Sequence, residues 1–428
     1  MQRQRTRAVI VDGYSTGREL LGALKDRGVE CLHLRSSAEL PPEVARCFDA
    51  TGYDADLGYA GPPAEAAEAL GRLRPDVLVA GSEWGVTHAE TVAALLGLPT
   101  NRPALIAARR DKFAMIEAVR AAGLLAANQA QLSCPRAAVG WAAAQARWPV
   151  VVKPLASAGS DGLHICDGPE QIEAAFADAL HRRNFMGLRN ERLLLQSFLS
   201  GPQYIVNTVS RDGRAFVTDA WHVALRTLPG SAIVVDETRL LDPAEPRAQE
   251  LFAYTLAAIA ALGIENGAAH SELKWTPEGP ALIETGARLM GAAMDRASYR
   301  AAGLRTQACQ LADALVDPAA FAATRSSGAH YGFTRHLSML FFIFETAGVV
   351  RDLSGLRRLY ELPSFHAHYR PLRVGDRVWK TADTFACGGA VYLAHDDRAQ
   401  IEADIARFRT WERRGVLYDL GDPARAAA

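Results

Sequence analysis

Glu272 and Glu284 flank a tight turn in a stretch that runs from Ala269-His270-Ser271-Glu272 through Thr276-Pro277-Glu278-Gly279 to Leu282-Ile283-Glu284-Thr285. A turn centred on Glu278 makes the two carboxylates direct partners on one face of a two-stranded ribbon. Side chains so opposed lie about 5 Å apart at Cβ, and like charges there repel. A hard divalent cation such as Mg²⁺, shared between carboxylate oxygens and substrate phosphates, offsets the repulsion. An edge ribbon whose acids are screened by water is the plainer alternative.

Groups further up the chain point to phosphate chemistry. Val150-Val151-Val152-Lys153-Pro154 ends an apolar strand on a lysine, and the loop Ser157-Ala158-Gly159-Ser160-Asp161-Gly162 follows. Small residues and glycines let backbone N–H groups turn toward an anion, and an ammonium beside them adds a point charge. The G-x-x-x-x-G-K-[ST] order of a P-loop is absent. From these residues alone, a plain glycine turn with Lys153 in solvent reads as well. Arg109-Arg110-Asp111-Lys112 opens a helix, so Lys112 offers a second cation. Gln196-Ser197-Phe198-Leu199 closes a strand and leads into Ser200-Gly201-Pro202-Gln203-Tyr204, a link whose backbone can pair with a purine edge. Arg288 follows Glu284 by four residues, beside Gly286 and Gly291. Each is weak alone, a surface ion pair or a solvated helix start being the commoner fate.

These residues need a scaffold. The 428 residues, 49% hydrophobic and 22% charged, exceed one core, so two to four domains are expected. A net charge of -1 gives no field for nucleic acid or anionic lipid. The basic start, Met1 to Arg7, lacks the apolar segment of a secretory signal, and the longest apolar run, 337–344, is too short to cross a bilayer. Cys31, Cys47, Cys134, Cys166, Cys309 and Cys387 show no paired spacing, which argues against a disulfide framework or structural zinc and suits a reducing cytoplasm.

Strand signals at 8–11, 29–34 and 76–80 alternate with helix signals at 16–27, 64–73 and 86–96. That alternation predicts a Rossmann-like parallel sheet over residues 1–106. The turn from Asp12 to Gly17 lacks the third glycine of a dinucleotide fingerprint and reads as a plain tight turn. Residues 107–316 read as a second domain, with helices at 110–122, 137–147, 169–181, 247–262 and 305–315. Strands there fall at 128–132, 150–152 and 193–195, and 204–209 pairs with 215–220 across Asp212-Gly213. Asp317-Pro318 marks a boundary, and 317–428 read as a mixed α/β domain with a strand at 391–393, a helix at 399–414 and a frayed tail from 421.

Taken in order, Arg110-Asp111-Lys112, Val152-Lys153-Pro154 with its Ser157 to Gly162 loop, the Gln196 to Leu199 hinge, Glu272, Glu284 and Arg288 resemble the ATP-grasp superfamily. Within it, Gly81-Ser82-Glu83-Trp84-Gly85-Val86, Leu98-Pro99-Thr100-Asn101, the stretch from Tyr204 to Gly213 and both arms of the carboxylate hairpin look like the L-amino-acid ligases that make dipeptides. The resemblance implies a multidomain α/β and α+β fold with ATP between two subdomains, one a mobile lid at about 129–195. It implies that Lys112, Lys153, Ser157, Gly159, Ser160 and Gly162 meet the phosphates, and that Gln196, Phe198 and Leu199 hold the nucleoside. Glu272 and Glu284 would carry two Mg²⁺ ions, with Mn²⁺ an acceptable substitute. Arg288, Glu284 and Lys153 would serve the phosphoryl transfer.

The same resemblance implies ligation of two amino acids through an acyl-phosphate, in the cytoplasm, without a nucleic-acid or membrane partner. Glu83 is expected to hold a substrate amino group, a helix cap being the equal alternative. His270, Arg288 and Gly291 complete the expected substrate contacts, while His366 and His368 are left without a role. Many relatives carry Glu in place of Gln196 and Gln203 and Asn in place of Gly286, which loosens the substrate and metal assignment. The alternatives are a ligase or carboxylase acting on a different metabolite, and a silent ATP-binding protein. A homodimer is the expected assembly, as for most oligomers.

Overall fold

The computed structural model describes residues 5–39, 44, 48–145, 147–228, 233–291, 295–323, 330–381 and 388–421. The first four residues, Cys47, Cys387 and the tail beyond 421 lie outside that set. The chain opens with strands β1 (Arg7–Val11), β2 (Glu30–Arg35), β3 (Ala55–Tyr59) and β4 (Val77–Ala80), in the order β3-β2-β1-β4 and all parallel. Helices α1 (Gly17–Lys25) and α2 (Pro63–Gly71) supply crossovers, and α3 (Val86–Leu95) follows β4. Central β1, an Arg-Ala-Val-Ile-Val run, is buried along nearly its whole length, as a strand covered on both faces must be. The strand expected third in sequence is therefore the fourth. β3 escapes sequence reading because it is an edge strand, largely exposed, whose Gly58 sits at φ +65°.

Helix α4 (Lys112–Ala121) leads into a small α+β unit. Its strands are β5 (Gln129–Leu132), β6 (Val150–Pro154), β7 (His164–Cys166) and β8 (Leu193–Ser197), antiparallel in the order β5-β8-β6-β7. Helices α5 (Pro135–Gln145) and α6 (Pro169–Ala179) cover it. It has a separate apolar core in which Ala138, Val150, Val152, Ile172, Phe176 and Leu195 meet.

Eight of the remaining strands build one sheet, and three short ones near the end of the chain form a separate small sheet. β9 (Gln203–Arg211), β10 (Arg214–Thr227), β11 (Ile233–Leu240), β12 (Gly267–Thr276) and β13 (Gly279–Gly286) come first, with α7 (Pro246–Ala261) packed behind them. Helices α8 (Arg296–Ala301), α9 (Gln307–Val316) and α10 (Pro318–Ala323) follow. β14 (His336–Phe341), β15 (Gly348–Asp352), β16 (Phe365–Tyr369), β17 (Arg377–Val378), β18 (Ala390–His395), α11 (Arg398–Arg413) and β19 (Asp419–Gly421) end the chain. The sheet order β13-β12-β9-β10-β11-β14-β18-β16 carries three strands from beyond residue 316 into the central sheet. A smaller core around Phe342, Phe344, Leu359, Leu393 and Phe408 supports that last segment.

One buried network ties the first sheet to the central one. Arg109 is fully enclosed, its Nη2 donating to Glu90 Oε2 at 2.6 Å, and Asn101 Nδ2 donates to Glu90 Oε1 at 2.7 Å. Arg109 also donates to the Leu262 carbonyl at the end of α7 (2.9 Å), so it pins the segment that delivers Arg110, Asp111 and Lys112.

Candidate functional site

Glu272 and Glu284 are paired in register on β12 and β13. The pairing comes from a bulge: Thr276 meets Gly279 and Leu273 meets Leu282 across a two-residue turn, and an irregularity after Glu272 then brings it opposite Glu284. Without the bulge, Ile283 would face Glu272. The pairing of the two carboxylates thus depends on one extra residue in β13, a common device for re-aiming side chains near active sites.

Cations converge on Glu284. Asp111 caps α4, accepting from the Ala114 N–H at 2.9 Å, while the Lys112 N–H donates to the Leu155 carbonyl at 2.9 Å. That fixes the first turn of the helix against the end of β6. Lys112 Nζ then reaches Glu284 Oε2 at 3.0 Å and the Ser157 carbonyl at 2.7 Å. Burial alone would raise the Glu284 carboxyl, but Lys112, Lys153 and Arg288 outweigh it and hold it well below the ordinary glutamate value. Lys153 is almost fully buried, and burial pulls its ammonium down to about 8 against the attraction of Glu284 and Glu272.

The loop after β6 is shaped to present its N–H groups. Gly159, Ser160 and Gly162 all have positive φ (67°, 63° and 63°). Turns of this kind aim successive backbone N–H groups into an anion-binding concavity. Asp161, which sequence reading passed over, accepts from Ser157 Oγ and from the Phe185 N–H, both at 2.7 Å, and so closes the loop on the segment between α6 and β8. The Phe185 ring in turn packs on Trp84, centroids 5.4 Å apart.

At the hinge, buried Gln196 donates to Gln129 Oε1 at 3.0 Å, and Gln129 donates to Glu117 at 2.8 Å, which links the small sheet to α4. Phe198 and Leu199 follow, half-buried in the connection to β9. Gln203 Nε2 donates to Glu272 Oε2 at 3.3 Å, so this amide faces the same carboxylate.

His270 is one strand position from the carboxylates. Asn207 donates to buried Asp219 Oδ1 at 2.6 Å, which turns the Asn207 oxygen toward His270 Nδ1 at 2.9 Å. Nδ1 thus donates to the Asn207 oxygen, and Nε2 faces Glu272 Oε1, 3.4 Å away. Neither Asn207 nor Asp219 had a legible sequence signal beyond being polar residues on strands.

Glu83 opens a short 3₁₀ turn after β4 and points into the same cluster. Arg288 Nε donates to its Oε2 at 2.7 Å, and Arg110 pairs with its Oε1. Burial alone would raise this carboxyl, but Arg288, Arg110 and Lys112 together lower it. With both oxygens engaged by guanidinium groups, Glu83 fits an anchor for arginines better than a free carboxylate awaiting an ammonium. It caps no helix. Gly291 is exposed at the end of the segment that carries Arg288, and residues 292–294 after it lie outside the described set.

Among the described residues no three His, Cys, Asp or Glu side chains gather around a potential metal position. Glu272 and Glu284 alone supply the carboxylates, a donor set that fits Mg²⁺, which keeps waters and takes phosphate oxygens rather than demanding a protein cage. His366 and His368 lie half-buried on β16, His368 against the ring of Phe365. No helix among the described residues is long and apolar enough to cross a membrane.

Comparison with known proteins adds a family frame. Residues 146–295 match the model of an ATP-grasp domain. The chain is 31% identical to dapdiamide A synthase of Enterobacter agglomerans, over 96% of this chain and 97% of that protein. Its fold resembles an L-amino acid ligase from Bacillus licheniformis, with a TM-score of 0.71 at 16% identity and 99% and 100% of the two chains covered. It also resembles a carboxyaminoimidazole ribonucleotide synthase from Aspergillus clavatus solved with ATP, with a TM-score of 0.66 at 14% identity over 96% and 99% of the chains.

Proposed function

The chain belongs to the ATP-grasp ligases that form carbon–nitrogen bonds, and from that premise we propose that it joins two L-amino acids into a dipeptide, releasing ADP and phosphate. The observation that carries the reading is Lys112, whose ammonium bridges the glycine loop at Ser157 and the paired carboxylates at Glu284. One side chain thus touches both the phosphate-cradling loop and the candidate metal ligands.

In the proposed reaction a carboxylate oxygen of the first amino acid bonds to the γ-phosphorus of ATP, and the bond from that phosphorus to ADP breaks. The amine of the second attacks the acyl carbon, loses a proton, and phosphate departs. The protein contributes position and charge. Lys112, Lys153 and the loop from Ser157 to Gly162 neutralise and orient the triphosphate. Gln196, Phe198 and Leu199 line the nucleoside end. Arg288 meets the transferring phosphoryl oxygens, where a preformed cation acts without reorganisation. Glu272 and Glu284 would hold Mg²⁺, two ions in this reading, which supplies Lewis-acid charge neutralisation at the phosphates when bound. His270 and the stretch around Gly291 border the amino-acid side.

The small α+β unit at 129–195 acts as the lid, and its separate core lets it move as a body. The second domain spans 107–316 in this reading, with 1–106 before it and 317–428 after it. The likeness to dapdiamide A synthase of Enterobacter agglomerans supports amide-bond formation.

The deciding experiment measures ADP and phosphate release from Mg²⁺-ATP with all twenty L-amino acids, singly and in pairs, with products weighed by mass spectrometry. Release that needs two amino acids, and a product one water lighter than their sum, is expected, and Glu284→Gln should abolish both. ATP binding without stimulation by any pair would overturn the dipeptide reading.

A further inference from the structure

Gly286 is not a glycine for conformational reasons: it ends β13 in register with His270, and its φ is not in the left-handed region. It is a glycine for space. A Cβ at this position would sit 2.8 Å from Glu83 Oε2, 3.1 Å from Arg288 Cζ and 3.2 Å from Arg288 Nε. The volume a side chain would fill is taken by the Glu83–Arg288 pair, at 2.7 Å.

Glu83 reaches that volume from a backbone that cannot retreat. A Cβ at Gly81 would lie 2.6 Å from Gly13 Cα, and one at Gly85 would lie 2.6 Å from the Val11 carbonyl. The turn that carries Glu83 is thus pressed against the end of β1 on both sides. A rigid element of the first domain therefore delivers a carboxylate into the central site, where it faces Arg288 and Arg110.

We propose that Glu83 is the positioning residue for Arg288, and that Gly286 is the vacancy that admits it. In this chain the space a side chain at 286 would fill belongs to a carboxylate delivered by the turn after β4. A side chain introduced at 286 evicts Glu83. Arg288, freed from Glu83, loses its fixed direction toward the phosphoryl group. The activity side of this inference rests on the ligase reading above; the geometric side does not.

The test compares wild type, Gly286→Ala, Glu83→Asp and the double variant. Both kinetics, with the amino-acid pair the wild type uses, and thermal unfolding midpoints are measured. Gly286→Ala is expected to lower kcat about tenfold to a hundredfold, the scale of a misplacement near 1 Å, with KM for ATP nearly unchanged. Glu83→Asp alone is also slower than wild type, because the shortened acid draws back from Arg288. Combined, the two should do better than Gly286→Ala alone, since the shorter acid clears the new methyl group. The midpoints should show the same reversal. Double-variant losses that simply multiply, together with additive midpoints, would overturn the proposal. If no amino-acid pair stimulates the wild type, the ligase reading fails while the midpoints still decide this one.

Discussion

Lys112 Nζ lies 3.0 Å from Glu284 Oε2 and donates at 2.7 Å to the Ser157 carbonyl, so a single ammonium spans the carboxylate hairpin and the glycine loop. Charge-assisted hydrogen bonds of this kind are the strong ones, about 1.5–3 kcal/mol each. Lys112→Met keeps the stem and removes the bridge. It should raise KM for ATP about tenfold to a hundredfold, with the fold retained. Titration of ATP against the variant, with circular dichroism as the fold control, checks it. Unchanged KM would remove Lys112 from the site.

Lys153 makes ATP affinity pH-dependent. Burial pulls its ammonium down to about 8, Glu284 and Glu272 pull it back up, and Lys112 pushes it further down. A bound polyphosphate favours the charged form, so the complex keeps a proton that the free protein loses. Below pH 8 both states are charged and affinity is flat. Above it the free state must regain a proton to bind, and affinity falls about tenfold per pH unit until the complex also titrates. Calorimetric binding between pH 7 and 9.5 should show this decline, and Lys153→Met should flatten it. A decline that persists in Lys153→Met would assign it elsewhere.

The site was legible where its chemistry is local. The lysine that ends β6, the glycines after it and the acids around one turn are all adjacent in sequence. The mutual placement of Glu272 and Glu284 was legible for the wrong reason: a turn centred on Glu278 predicts their pairing, but the chain achieves it with a bulge. Residue types do not announce a bulge. Strand β3 was missed because an exposed edge strand needs little apolar patterning. The joining of β14, β18 and β16 to the central sheet had no sequence signal, because pairing between β11 and β14 spans about a hundred residues. Asp161 looked like loop polarity, and only its bonds to Ser157 and Phe185 give it a part.

Arg109 carries a stability prediction separate from catalysis. Its guanidinium is fully enclosed against Glu90, and it also donates to the Leu262 and Arg102 carbonyls. Removing one member of such a pair leaves an uncompensated buried charge and costs about 3–5 kcal/mol. Arg109→Met should therefore lower the urea midpoint sharply. Arg109→Met combined with Glu90→Leu should recover part of the loss, because no lone charge remains. A single variant as stable as wild type would show that Glu90 finds another partner or water.

Phe185 and Trp84 set the last expectation. Asp161 holds the Phe185 backbone to the glycine loop, and the Phe185 ring meets Trp84 beside Glu83. The small α+β unit, its glycine loop and the turn after β4 thus meet at one aromatic contact. An aromatic pair contributes about 0.5–1.5 kcal/mol beyond its area, so losing it opens the closed state about twofold to tenfold more often. Phe185→Ala leaves the backbone bond to Asp161 intact, and the phosphate loop should keep its affinity for ATP. In the proposed ligation, water would then gain access to the acyl-phosphate, which would hydrolyse where it should meet an amine. The ratio of ADP released to amide formed, close to one in wild type, should rise in Phe185→Ala and return toward one in Phe185→Tyr. A slower Phe185→Ala with an unchanged ratio would mean that the contact stabilises the fold and does not shield the intermediate.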